Sequence, residues 1–342
     1  MSDFSSTNNR DEKTSASFSR RRFLQTALGS SAAIGLSLSS IASNALAAPL
    51  IRDTLLRVAT YKGDARQFHK TIGVDNTPYR VEYAEFSGGN LIVEAINGGS
   101  IDLGTMSEIP PIFSVQSGAP LKLIAILQGD VNNQTLLVPE KSKIRDVAEL
   151  KGLRVGYVRS TTSHYLLLRY LQEKGLSFAD IKPISLSPQD GLAAFQSGQL
   201  DAWVIYGPMI QLAQKQGAHI LKTGLGYLSG NYLYAAHTKA IADPVRHAAI
   251  ADYLQRERKV YDWINRNHDT YATGLAKTTG LPKWLFDAQL KQQSQPFKLI
   301  AIDDAAVRSQ QKIADTFTEH KVIDRRIDVS GLWDRSFSSA LV

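Results

Sequence analysis

Ser160-Thr161-Thr162-Ser163-His164 puts four hydroxyls and an imidazole into five consecutive residues. Where a strand ends and a helix begins, free backbone N–H groups and a partial positive charge favour an anion, and hydroxyls add donors. Three more turns share this character: Ser87-Gly88-Gly89-Asn90, Thr105-Met106-Ser107 and Gln189-Asp190. Glycine in such a turn lets the backbone approach a ligand closely. Simple helix capping explains any one of these turns. Four hydroxyls in a row exceed what one cap requires, and several such turns at the same sheet edge point to a ligand cleft. The chemistry implied is binding. No P-loop, G-x-G-x-x-G or G-x-S-x-G pattern is present. Asp190 and Asp201 have no second carboxylate at a catalytic spacing, Trp203 reads as core, and Tyr206 at a strand end is placed to line a cleft.

The elements that must hold these turns alternate. Leu55 to Thr60 and Tyr79 to Phe86 read as strands, and Leu91 to Ile96 as a helix stopped by Asn97-Gly98. Ile101 to Gly104 reads as a strand, with Thr105-Met106-Ser107 opening a helix that carries Pro110 in its first turn. Leu121 to Leu127 and Thr135 to Val138 are strand-like. After the polar break Pro139-Glu140-Lys141-Ser142 the same unit recurs. Strands are expected at Arg154 to Val158, Ile184 to Leu186, Asp201 to Tyr206, Ile220-Leu221 and Tyr232 to Ala236. Helices are expected over His164 to Lys174, Gly191 to Gln196 and Pro208 to Gln216, and most of the chain beyond Asp243 is helical. Short loops between alternating strands and helices predict parallel sheets covered on both faces. Two such sets predict two α/β lobes: 48–138 plus 234–342 as the first, 139–233 as the second, with the helical tail returning to the first.

The N-terminus sets the compartment. Arg20-Arg21-Arg22-Phe23-Leu24 precedes a soft apolar run, Ala27 to Ala42, and then Ala45-Leu46-Ala47. That order of charged, apolar and small-x-small segments reads as an export signal, and the paired arginines point to the twin-arginine route. Gly29, Ser30, Ser31, Gly35, Ser37, Ser39 and Ser40 make the run too weakly apolar for a spanning anchor. Cleavage is expected after residue 47, giving a periplasmic chain that is soluble and not lipidated. Beyond that point 34 basic residues face 29 acidic ones, a mild net charge of +5. The basic residues form no stripe interleaved with aromatics, which argues against nucleic acid. The chain has no cysteine, so disulfides, zinc–thiolate sites, iron–sulfur clusters and thiol catalysis are excluded. Its seven histidines show no i, i+4 pair and no H-E-x-x-H, so neither a metal nor a cofactor is expected.

The stretches Leu56 to Gly63 (LRVATYKG), Phe86 to Ile96 (FSGGNLIVEAI), Gly98 to Pro111 (GGSIDLGTMSEIPP), Ala119-Pro120-Leu121, Val138 to Leu166 and Pro188 to Pro208 carry a resemblance in their order and spacing. Over nearly the whole chain beyond the leader, the sequence resembles the periplasmic substrate-binding proteins of ABC importers for alkanesulfonates, taurine, nitrate and related anions. The resemblance implies a two-lobed type II binding-protein fold with the ligand in a cleft between the lobes, an ABC permease and an ATPase as partners, and a monomer with no catalytic role. By motif position it implies ligand contacts from Tyr61, Lys62, Gly89, Asn90, Thr105, Met106, Ser107, Thr161, Thr162, Ser163, His164, Asp190 and Tyr206. The chain has Tyr206-Gly207-Pro208 where the family often has Trp-Asp-Pro, so an acidic contact is missing. A binding protein for an aromatic heterocycle such as a thiamin precursor, stacked on Tyr61, Trp203 or Tyr206, is the alternative. An enzyme on the same fold is a further one, which the lack of cysteine and the export signal oppose.

Overall fold

A computed structural model describes residues 51–342. The export leader and its cleavage site lie outside these residues. Two sheets divide the strands. The first has six strands in the order β11 (Lys298–Ile300), β4 (Leu121–Gln128), β10 (Asn231–His237), β3 (Leu103–Ser107), β1 (Leu55–Thr60) and β2 (Arg80–Glu85). The second has five, in the order β7 (Lys182–Ser185), β6 (Arg154–Tyr157), β8 (Ala202–Tyr206), β5 (Gln134–Val138) and β9 (His219–Thr223).

Each sheet is mixed, not parallel throughout. β1 runs parallel to β2 and β3, but β10 is antiparallel to both β3 and β4. In the second sheet β6 is parallel to β7 and β8, while β5 is antiparallel to β8 and β9. The antiparallel members include the strands that follow the two crossings between sheets. β5 pairs in the second sheet, so the first crossing falls before residue 134 and not after 138. β10 starts at Asn231, so the expected boundary at 233/234 cuts through a strand of the first sheet.

Helices cover the sheets because their apolar faces match. α1 (Gly89–Asn97) buries Ile92, Val93 and Ile96. It lies so close to β3 that a Cβ at Gly104 would stand 2.5 Å from the Ile92 side chain. α2 (Pro110–Ser117) starts on proline, whose missing N–H costs nothing at a helix's first turn. In the second lobe the helices are α3 (Thr162–Glu173), α4 (Pro188–Gln196) and α5 (Met209–Lys215). Trp203 is wholly buried among Leu137, Phe195 and Ile210. α6 (Thr238–Ala242) leads into α7 (Pro244–Ile264), capped by the Asp243 carboxylate. Ala249, Ile250, Tyr253 and Leu254 of α7 pack on Leu56, Val58 and Leu127 of the first sheet, so this part of the helical tail does return to the first lobe. Each fully buried aliphatic side chain contributes about 1.5–3 kcal/mol. α8 (His268–Thr279) and α9 (Lys283–Lys291) follow, and α10 (Asp304–Glu319) buries Ile313, Ala314 and Phe317 on the opposite face of that sheet.

The crossings run side by side, with Gly129 N–H donating to the carbonyl of Gly230 at 2.9 Å. A third segment braces them. Asp130 accepts hydrogen bonds from the N–H and hydroxyl of Ser294, at 2.8 and 3.0 Å. The lobes also touch away from the crossings, where Phe317 of α10 meets the rings of His164 and Tyr165 of α3 at 5.4 and 5.8 Å.

Candidate functional site

The start of α3 uses its hydroxyls in an unexpected way. Thr161 is the residue before the helix, yet its Oγ1 donates to the carbonyl of Val158 at 2.7 Å. Ser163 Oγ donates to the Val204 carbonyl at 2.6 Å and accepts from Val158 N–H at 3.0 Å, tying the helix start to the two central strands β6 and β8. No side chain caps the helix. The N–H groups of a first turn have no intrahelical partner, so this end presents bare donors and the positive end of a twelve-residue helix. α1 is likewise uncapped by a side chain, starting from Gly88 in an extended conformation.

These two helix starts border one cavity of about 220 Å³. From the first lobe come Tyr61, Ser87, Gly88, Gly89, Thr105, Met106, Ser107 and Pro110. From the second come Thr161, Thr162, Tyr206 and Gly207, and the crossings add Asn133, Gln134 and Tyr232. Gly89 is small of necessity, since a Cβ there would stand 2.8 Å from Met106 and 3.4 Å from the Tyr61 hydroxyl. Tyr61 donates to the Thr105 carbonyl at 3.0 Å. Tyr232 donates to the Asp130 carbonyl at 2.9 Å and accepts from Gln134 Nε2 at 3.0 Å. Burial pushes the phenols of Tyr206 and Tyr232 up to about 12, so both stay neutral donors. Among the described residues, no charged side chain lines this cavity. An anion in it would meet N–H and O–H dipoles only, and its charge would not be neutralised by a lysine or arginine.

A second cavity of about 270 Å³ lies inside the first lobe, and Tyr61, Thr105, Asn133 and Tyr232 belong to the walls of both. Three of its lining residues, Asp64, Asp130 and Glu257, are carboxylates, set among tyrosine rings.

The sequence pattern of the family described as NMT1/THI5 like matches residues 59–241. The chain belongs to that family. An Escherichia coli relative named a putative aliphatic sulfonates-binding protein is 34% identical over 253 residues, covering 73% of this chain and 78% of its own. The solved structure of the periplasmic aliphatic sulphonate binding protein SsuA from Escherichia coli is 31% identical, with a TM-score of 0.74 over 82% of this chain and 92% of the other. The alkanesulfonate-binding protein SsuA from Xanthomonas axonopodis pv. citri, solved bound to MOPS, is 28% identical. Its TM-score is 0.76 over 83% and 99% of the two chains. The two-lobed periplasmic binding-protein fold is therefore that of this NMT1/THI5-like chain, and these relatives are binding proteins and not enzymes.

Within this family member, the structure gathers Tyr61, Gly89, Thr105, Met106, Ser107, Thr161, Thr162 and Tyr206 around one cavity. Thr105, Met106 and Ser107 arrive differently from expectation: they are the end of strand β3 and not a helix start, because Met106 is core, 1% exposed. Five expected residues stand elsewhere. Lys62 is exposed, and Asn90, in the first turn of α1, is not among the residues that line the cavity. Ser163 is spent on Val158 and Val204. His164 is buried against Tyr157, Phe178 and Phe317, and burial, then the charge of Arg159, pulls its pKa down to about 4. Asp190 is exposed and bonds Ser187 at the start of α4. Pro110, Asn133, Gln134, Gly207 and Tyr232 line the cavity without having been expected there, and Ser87 and Gly88 line it from a turn expected at the cleft though neither was named as a contact. The break Gln128 to Asn133 after a strong strand was the one available signal for the crossing residues.

Proposed function

We propose that this chain is the solute-binding component of an ABC importer, exported through the leader of residues 1–47 by the twin-arginine route. It works as a soluble, unlipidated periplasmic monomer that delivers its ligand to a membrane permease with an ATPase subunit. The ligand is a small organic anion, most simply an aliphatic sulfonate. The observation that carries this reading is the uncapped start of α3, which with its Thr162 and with Tyr206 borders, together with the uncapped start of α1, a cavity without charged side chains. A sulfonate is always ionised and has three acceptor oxygens, so it suits several neutral donors. Met106, Pro110 and the tyrosine rings suit its organic part. The names of the relatives agree with this reading.

Calorimetric titration with ethanesulfonate, butanesulfonate, taurine, sulfate and nitrate tests it. Micromolar or tighter binding of at least one sulfonate, with weak binding of nitrate, is the expected result. No binding across the set would sink the sulfonate reading. The rings of Tyr61, Tyr206 and Tyr232 around one cavity favour one second reading, an aromatic heterocycle. Tight binding of an aminopyrimidine with none of the sulfonates would establish it instead.

A further inference from the structure

Glu108 stands at the turn between β3 and α2, next to Ser107 of the cleft wall, and is 3% exposed. Its carboxyl group is held by two elements through which the second lobe reaches the first. Ser229, which donates to Oε1 at 2.5 Å, precedes Gly230 in the second crossing. Ser309, which donates to the same oxygen at 3.2 Å, lies on α10. Gln310 of that helix donates from Nε2 to the Glu108 carbonyl at 2.9 Å. Two turns further on, the helix carries Phe317, which packs on His164 and Tyr165 of the second lobe. The other carboxyl oxygen, Oε2, is buried with no partner.

Among the described residues no cation compensates this group. α2 carries no charged residue. Arg308 and Lys312 of α10 are exposed and line a groove on the outer surface with Arg169. Tyr227, the titratable residue just before the crossing, is engaged by Lys222 and Glu173. Leaving a proton unpartnered at Oε2 costs less than leaving a charge there. Burial accordingly pushes the pKa of Glu108 up to about 7, against the pull of the hydrogen bonds from Ser229, Ser309 and Asn231. We propose that closure of the lobes on ligand takes up a proton from solvent at Glu108, and that opening returns it. In the open arrangement the crossing and α10 shift against β3, water reaches both carboxyl oxygens, and the carboxylate is hydrated. With the lobes in contact the same group is dry and keeps its proton. The closed state thus has the higher pKa. Affinity is therefore greatest near the ordinary carboxyl value of 4.5, falls as pH rises towards about 7, and levels off above it. This rests on the binding-protein reading above, with lobes that close about the crossings, and deepens it.

Calorimetric titration with butanesulfonate between pH 5 and pH 8, on the full chain and on Glu108→Gln, tests this. A sulfonate stays ionised throughout, so the ligand adds no pH dependence of its own. The parent's Kd is expected to rise at least about fivefold from pH 5 to pH 8. Glu108→Gln keeps an acceptor for both serines and mimics the protonated acid, so it should remove most of that rise. Asp64 of the inner cavity, whose pKa burial also pushes up to about 7, titrates in both proteins, and the difference between them belongs to Glu108. At pH 6, titration in two buffers of different ionisation enthalpy should show proton uptake by the parent and clearly less by the variant. A parent Kd that does not change with pH, binding without proton uptake, or the same rise in both proteins overturns the inference while the sulfonate reading stands. If no sulfonate binds at any pH, that reading falls and takes the inference with it.

Discussion

Arg57 donates from Nε and Nη2 to the two carboxylate oxygens of Asp102, at 2.9 and 2.6 Å, while the backbone N–H of Arg57 adds a third bond at 2.9 Å. The second lobe repeats the device. Arg154 holds Asp201 by its Nε, its Nη2 and its own N–H at 3.0, 2.7 and 2.8 Å. In each lobe the arginine lies near the start of the first parallel strand, the aspartate precedes the neighbouring one, and a turn glycine, Gly99 or Gly198, accepts a further guanidinium bond. Burial works against the charge on Asp102, yet the bonds from Arg57 hold its pKa below the ordinary carboxylate value. The two copies differ in exposure: the side chain of Asp102 is 2% exposed and that of Asp201 28%. Asp102→Ala is therefore expected to lower the unfolding free energy by about 2–3 kcal/mol, since it strands a charge-assisted network. Asp201→Ala is expected to cost clearly less. Urea denaturation of the two variants checks the order, and equal losses would show that burial does not set it.

Thr162 separates binding from capping. Its hydroxyl lines the cleft, and among the described residues it makes no hydrogen bond. Thr162→Ala is expected to weaken sulfonate binding by about 1–3 kcal/mol, the loss of one buried donor to a charged acceptor. The unfolding midpoint should barely move, because Thr161 and not Thr162 precedes the helix and no side chain caps it. A lowered midpoint with unchanged affinity would make Thr162 a structural residue only.

What the sequence made legible follows from local physics. β1, β4 and β8 have apolar runs bounded by turn residues, and each forms where expected. β5 was placed in the wrong sheet because its five residues are all buried, and a strand buried on both faces does not say which lobe buries it. The three-residue β11 is too short to carry a periodic signal. At the cleft, residues on strand-to-helix turns were readable: Gly89, Thr161, Thr162 and Tyr206. Asn133, Gln134 and Tyr232 were not, since they reach the site only through the crossing of the two segments. Ser163 and His164 were over-read, because successive residues of a helix start point about 100° apart and cannot all face the cleft, and this pair turned into the core.

Glu108 gives stability a pH dependence of known sign. Its Oε1 accepts from Ser229 and Ser309 at 2.5 and 3.2 Å, and its Oε2 is buried without a partner. Burial pushes its pKa up to about 7, against those hydrogen bonds. The folded chain then keeps a proton that the unfolded chain releases near 4.5. Stability contributed by this group is present below about pH 4.5 and is lost as pH rises through about 7. Glu108→Gln, with an acceptor kept for both serines, should be more stable than the parent at pH 8 by about 1–3 kcal/mol and about equal at pH 4.5. Denaturation midpoints across that range check it. A parallel offset at all pH values would remove Glu108 as the source.

Gly230 is where the crossing segments meet. Its φ is +80°, in the left-handed region, and its carbonyl accepts the N–H of Gly129. A Cβ there would stand 2.7 Å from the Gly129 carbonyl oxygen and collide with the Gln295 side chain. The Gln295 amide can swing aside, but the Gly129 carbonyl is backbone, fixed by Gln295 Nε2 at 2.7 Å and by the tight turn itself. Gly230→Ala must therefore either open the pair of crossings or pay left-handed strain of about 1–2 kcal/mol with a steric cost on top. A drop of about 2 kcal/mol or more in unfolding free energy is expected. In the proposed function the crossings would be the hinge on which the lobes close, and Asn133, Gln134 and Tyr232 of the cleft lie beside them. Loss of their spacing should weaken sulfonate binding and shrink the ligand-induced fall in radius of gyration seen by solution scattering. Unchanged stability would mean that the crossing backbone yields freely. Lost stability with normal closure and affinity would confine Gly230 to folding and leave the hinge to its neighbours.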